Sequence, residues 1–211
     1  MLKIKKCVTA SPEQWEIIIE GMRNPMNSWG KSDSVFAPDH FELGENDRAL
    51  MHSLAFHGGA DDRKFMRMIP IYLTITAPLY WWKEFDTYKV GTVANSCSTM
   101  HKIHARDFTI EDFSCEYLDK LCLSLLRDDI IPTLNAYRSE YLQYRNKSDW
   151  WQLIQMLPTC YNQRRTVMLN YEVARNIYHA RRFHKLDEWH VLCSFFETLP
   201  YSELITGDKN G

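Results

Sequence analysis

The spacing of apolar positions changes several times along the chain, and each change marks a predicted element. Ser11-Pro12-Glu13-Gln14 opens a helix: the serine can cap, proline suits the first helical position, and glutamine three residues after the cap can complete a capping box. A helix of about three turns should follow, to near Asn24. Residues 25–42 are rich in Asn, Ser, Gly, Asp and Pro without a sustained period, which reads as an irregular excursion able to cover something. A second helix starts at Asn46, carries Leu50, Met51, Leu54 and Ala55 on one face, and stops at Gly58-Gly59.

Met68 to Ala77 is the best strand, because β-branched and aromatic residues alternate with others over a short run that Pro78 ends. Residues 78–89 then read as a short aromatic helix and 90–100 as a loop of small polar residues. Thr109, with Asp112 three residues on, predicts the start of a long helical region through Tyr117, Leu118, Leu121, Leu125 and Leu126. Pro132 kinks or restarts it before Leu134, Tyr137, Tyr141 and Tyr144. Ser148 to Leu157 reads as a short helix closed by Pro158, Asn162 to about Arg182 as a long one, and Asp187 to Leu199 as the last. The expected fold class is α+β, mainly helical with a small antiparallel or mixed sheet. With no repeat or linker visible, 1–211 is expected to form a single domain.

Composition narrows the classes. The 211 residues are 45% hydrophobic and 25% charged, which argues against disorder and low-complexity arrays. The 8 glycines never space themselves as GxGxxG or GxxxxGK, so no dinucleotide fingerprint or P-loop is present. A net charge of -2 gives no global attraction to nucleic acid or anionic membrane, and no specific nucleic-acid partner is expected. The longest apolar run, Met68 to Trp82, is interrupted by Pro70, Thr74, Thr76 and Pro78 and is shorter than the roughly 20 residues of a membrane helix. The opening residues are basic with no apolar stretch behind them, so a cytoplasmic location is expected. The 6 cysteines are scattered with no CxxC and read as reduced thiols, and no His or carboxylate cluster has metal-ligand spacing.

Two stretches could carry chemistry. Residues 162–186 hold Arg164, Arg165, Arg175, Arg181, Arg182 and Lys185 against the single acid Glu172, a local +5 in a chain of -2. On one helix, at about 100° per residue, Asn170 and Arg181 would lie only about 20° apart and Asn176 about 120° away, so two amides and a guanidinium could serve one anionic ligand. The alternative is a solvated basic face. The second stretch follows the strand: Lys83 and Glu84 on the aromatic helix, then Tyr88, Lys89 and the small polar run containing Asn95, Cys97 and Ser98. Cys97 reads as a small buried apolar residue rather than a thiolate, because no neighbouring base is identifiable.

The order of these features resembles the flavin-dependent thymidylate synthases. In that family a strand closing in Ala-Pro, a helix with Arg-Gln and the motif RHRxxSxNExSxRY precede a Leu-Pro, two Asn and an Arg at set intervals. Leu157-Pro158, Asn170, Asn176 and Arg181 stand at those intervals here. The motif itself is replaced: Arg-Gln by Lys83-Glu84, Arg-His-Arg by Thr87-Tyr88-Lys89, and the second serine by Cys97, or by Ser98 with a one-residue shift that also brings Asn95 onto the Asn. The resemblance implies a homotetrameric protein with FAD between subunits, methylating C5 of dUMP, a pyrimidine nucleotide, with NADPH and methylenetetrahydrofolate. It implies that Asn170, Asn176, Tyr88, Lys89 and Asn95 bind cofactor, and that Arg181, Lys83, Glu84, Cys97 and Ser98 bind substrate. A non-catalytic oligomeric module of the same fold is the alternative reading.

Overall fold

The computed structural model describes residues 1–207. The elements, in chain order, are β1 (Lys3–Thr9), α1 (Pro12–Arg23), β2 (Val35–Ala37), β3 (His40–Glu42), α2 (Glu45–His52), β4 (Pro70–Pro78), α3 (Leu79–Phe85) and β5 (Val93–Ser96). They continue with α4 (Lys120–Ser124), α5 (Ile131–Tyr144), α6 (Lys147–Gln155), β6 (Asn162–Asn170), α7 (Tyr171–Arg181), α8 (Asp187–Glu197) and α9 (Glu203–Thr206). Four strands form one sheet in the order β1-β4-β6-β5, and β2 pairs antiparallel with β3, so the fold is α+β. Contacts divide the described residues into two compact units, neither continuous in sequence: 1–4, 74–87 and 95–166 in the first; 5–73, 88–94 and 167–207 in the second.

The capping box predicted at α1 is present in both halves, with Gln14 N donating to Ser11 Oγ and Ser11 N to Gln14 Oε1. The excursion after α1 contains two 3-10 turns and the β2–β3 hairpin. The buried Asp47 carboxylate fastens it, accepting from Arg23 Nε at 2.6 Å, from the Ser32 and Ser34 hydroxyls and from two backbone N–H groups. Burial alone would raise this carboxyl. The Ser34, Ser32 and Arg23 hydrogen bonds together outweigh it and leave the Asp47 pKa lowered.

Three expectations need correction. The box at Thr109 closes only a 3-10 turn, Ile110–Asp112, and the helix waits until Asp119 caps α4 with its carboxylate on Cys122 N. The loop expected over 90–100 contains β5, whose residues are all exposed and so show no apolar alternation. Most consequential, the long helix expected over 162–182 is a strand followed by a helix. Gln163, Arg165, Val167 and Leu169 alternate with more exposed neighbours along β6. The inward row begins with two polar residues, which hid the period of two.

In the first unit, Ile103, Phe108, Phe113, Leu126, Ile131, Leu134 and Leu153 form a buried cluster under α5 and α6. The opening N–H groups of α3, on Leu79 and Tyr80, donate to the carbonyls of Tyr161 and Thr159 at 3.0 Å each, satisfying donors the helix cannot satisfy itself. In the second unit α7 packs on α8 and α9 through buried Ala174, Ile177, Trp189, Leu192 and Leu204.

Candidate functional site

In the first unit a cavity of about 500 Å³ opens beside the end of β5 and the start of β6. Cys97 and Ser98 line it, as the sequence predicts, with Thr99, Lys102, Arg106, Phe108, Tyr161 and Arg164 among the others. Its volume falls within the roughly 300–1,000 Å³ usual for small-molecule sites. Arg106 is committed to buried Asp112 by a two-pronged ion pair. Lys102 and Arg164 are exposed and make no ion pair or side-chain hydrogen bond with a described residue, so they carry the cavity's available positive charge. Burial, and then the Asp112 charge, raise the pKa of Tyr161, which keeps its phenol protonated and a donor. The Tyr161 ring is rooted edge-on against Phe108 and Phe113. The sequence names Arg164 only as one of six basic residues and singles out neither Tyr161 nor Lys102, because only the strand at 162–170 and the turn after Ser98 bring the three to one place.

The loop forming the other wall is tied down from behind. Asn135 on α5 exchanges two hydrogen bonds with the Phe108 backbone, at 2.8 and 2.9 Å, and Arg138 Nε donates to His104 O. Trp150 Nε1 on α6 donates to Met100 O. Ser98 Oγ accepts from the N–H groups of Met100 and His101, fixing the turn that leaves the cavity.

The second unit gathers a different part of the expected set. Asn170 is not inside a helix but caps one: its backbone is extended, and its Oδ1 accepts from Val173 N at 3.0 Å. Its amide nitrogen faces Gly91, whose φ is +75°; a Cβ on that glycine would lie 3.1 Å from Asn170 Nδ2 and 3.0 Å from Val173 Cγ2. Next in the chain, the Thr92 hydroxyl is buried with no hydrogen-bond partner. Arg181 Nε donates to Tyr88 Oη at 2.9 Å, and its guanidinium lies over the Trp189 ring at 4.9 Å. The helical geometry expected for Asn170 and Arg181 is therefore replaced by separate local roles. Asn176 on α7 and Lys89 are exposed here, and Asn95 on β5 and Lys83 on α3 are exposed in the first unit; none of the four makes a side-chain hydrogen bond with a described residue. Glu84, also of the first unit, is partly exposed, and its carbonyl accepts from the Thr87 hydroxyl.

All six cysteines are free, and burial pushes the Cys193 thiol up to about 11. Among the described residues no group of three His, Cys, Asp or Glu is placed to hold a metal ion, and no helix is long and apolar enough to cross a membrane.

Two solved structures align with nearly the whole chain. One is thymidylate synthase X from Helicobacter pylori with FAD and dUMP, 15% identical, with a TM-score of 0.64 over 97% of this chain and 95% of that one. The other is the flavin-dependent thymidylate synthase ThyX of the same organism, complexed with FAD and dUMP, 14% identical, with a TM-score of 0.63 over 97% and 96%. The chain has the fold of the flavin-dependent thymidylate synthases. No protein-family model and no curated protein matches the sequence. Flavin-dependent thymidylate synthases thus share this chain's backbone plan at 14–15% sequence identity.

Proposed function

We propose that this protein is a flavin-dependent enzyme of pyrimidine-nucleotide metabolism, carrying out a thymidylate synthase-like C5 methylation of dUMP with methylenetetrahydrofolate and NADPH. The observation that carries the nucleotide part is the first unit's cavity, where an aromatic wall stands near two uncommitted cations, Lys102 and Arg164. A phosphate monoester brings about two negative charges, which two cations match, and Arg164 can meet it with a two-pronged fork. Tyr161 can donate to a carbonyl oxygen of the base, and Ser98, held by its turn, keeps the wall in shape.

The flavin part is supported by the cradle in the second unit. Asn170 offers an amide donor, Thr92 an unpartnered buried hydroxyl, and Gly91 leaves the space a side chain would fill. These groups fit the carbonyl and ring-nitrogen edge of an isoalloxazine. Bound FAD would supply the hydride chemistry, and the chain would bind and orient. Lys89 and Asn176 of the same unit are candidate outer contacts and Arg181 a further phosphate contact, while Lys83, Glu84 and Asn95 are candidate ligand contacts of the first unit. A homotetramer acting in the cytoplasm is the assembly and location that go with this reading.

The test is titration of the purified protein with FAD and, separately, with dUMP, followed by flavin absorbance and calorimetry. Micromolar binding of both is the expected result; binding of neither overturns the proposal. A non-catalytic module is the second reading, favoured by the use of Arg181 and Asn170 in the unit's own packing. It predicts that Asn170→Ala combined with Arg181→Ala leaves assembly, measured by light scattering, unchanged and that no FAD is retained.

A further inference from the structure

One wall of the cavity is set from a distance, through a chain of four residues in the first unit. Asp86 caps the end of α3 and accepts from Arg165 Nη1 at 2.7 Å. Arg165 lies over the Trp82 ring at 4.3 Å and donates from Nε to Gln163 Oε1 at 2.9 Å. Buried Gln163 then donates from Nε2 to Cys97 O at 2.8 Å, while Cys97 N donates to Arg164 O at 2.9 Å. Both backbone polar groups of Cys97 are thereby taken, and Cys97 and Ser98 face the cavity.

Arginine has donors only, so Arg165 can meet only the oxygen of the Gln163 amide. That leaves the amide nitrogen for Cys97 O. Without Arg165 the amide could turn over and place oxygen against oxygen. We propose that Arg165 is a positioning residue of the cavity: it touches no ligand, and by selecting one orientation of Gln163 it fixes the wall that Cys97 and Ser98 present to a nucleotide. The effect on nucleotide affinity rests on the function proposed above; the effect on Cys97 does not.

Two variants separate this role from a general loss of stability. Arg165→Met removes the fork and keeps an apolar stem over Trp82. Gln163→Glu keeps a partner for Arg165 but turns a carboxylate oxygen toward Cys97 O. The Cys97 thiol is itself exposed, so the primary measurement is hydrogen–deuterium exchange of the Cys97 N–H, which donates to Arg164 O, read by NMR with the Val173 N–H as the reference within the same molecule. Both variants should speed Cys97 exchange by about fivefold or more, the factor expected for one net hydrogen bond, with Val173 unchanged. The double variant should add no further increase, as two members of one chain are not additive.

In parallel, both variants should weaken dUMP binding by about tenfold and leave FAD binding as it was. An unchanged Cys97 rate in folded Gln163→Glu overturns the proposal, and so does full additivity in the double variant. Should wild-type protein bind no dUMP, the nucleotide reading fails, and the Cys97 rates alone still decide whether Arg165 holds the wall. Should Arg165→Met fail to fold, Arg165→Lys, which keeps the charge but cannot span Asp86 and Gln163 together, takes its place with the same expected rise.

Discussion

Arg165 in the first unit lies over Trp82 and Arg181 in the second lies over Trp189, at 4.3 and 4.9 Å, yet the two guanidiniums are held differently. Arg165 is fixed by the carboxylate of Asp86 and spends its Nε–H on an amide that shapes a cavity. Arg181 donates to the Tyr88 hydroxyl and lies over Tyr88 as well as Trp189, inside an aromatic layer. Arg165 is thereby spent within the fold and is no anion receptor. That role falls to Arg164, the immediate neighbour of Arg165, because adjacent residues on a strand point to opposite faces. Counting arginines in a basic segment therefore overstates its capacity for anions; the partners of each one decide.

The sharpest break of the comparison is Asp47→Ala. Arg23 and Asp47 in the second unit are 4% and 0% exposed, against 14% and 45% for Arg165 and Asp86. Removing the buried acid should cost about 3–5 kcal/mol in urea denaturation, and a cost below 1 kcal/mol would show that the clasp is dispensable. The sign of its pH dependence follows from the lowered carboxyl. Its stabilisation is present above the unfolded value of about 3.9 and is lost as pH falls through the lower folded value, so the variant should show a flatter acid limb.

Next, Gly91→Val places a branched side chain at a left-handed φ against Val173 and Asn170 and should destabilise by about 1–3 kcal/mol, with FAD retention reduced. Undiminished FAD binding in this variant would remove the cradle from the second unit. Arg164→Gln should leave thermal stability unchanged and weaken dUMP binding about tenfold, with a shallower dependence on salt; Arg165→Met should differ from it by speeding exchange of the Cys97 N–H. Asn170→Ala should cost about 1 kcal/mol through loss of the α7 cap, and Asn170→Asp should restore that stability.

The smallest effect concerns His104. Burial, then the charges of Arg145, Lys102 and Arg138, lower its pKa. Its neutral form contributes stability above the unfolded value of about 6.5 that declines as pH falls toward the folded value, so His104→Phe should weaken the pH dependence between pH 7 and 5 in thermal melts.

Much of the fold was legible where local chemistry and tertiary structure agree. Ser11 and Gln14 announce α1, and Pro78 and Pro132 mark a strand end and a helix start. The reading failed where the inward face of an element is polar. Gln163 and Arg165 point inward on β6 because Cys97, Asp86 and Trp82 receive them, and those partners lie 66 to 83 positions away in sequence. Thr109 failed for the opposite reason: its local box is fully formed, but a strand-like pairing of Phe113 with Tyr161 ends the turn at once. At the candidate site, Cys97 and Ser98 were found through the family's order of features. Tyr161 and Lys102 carry no local signal, since a lone tyrosine or lysine acquires meaning only from the wall opposite.

The side-by-side arrangement of Arg164 and Arg165 also constrains how the chain can vary. A single residue inserted between Pro158 and Gln163 would slide β6 by one place, carrying Arg164 to the inward place over Trp82 and Arg165 to the exposed place beyond it, whereas a deletion would carry Arg165 out into the opening and Arg164 to the place of Gln163. The few residues linking α6 to β6 are thus held to a fixed count by the first residues of the strand they lead into, and length change in this protein should be tolerated on the β2–β3 hairpin long before it is tolerated there.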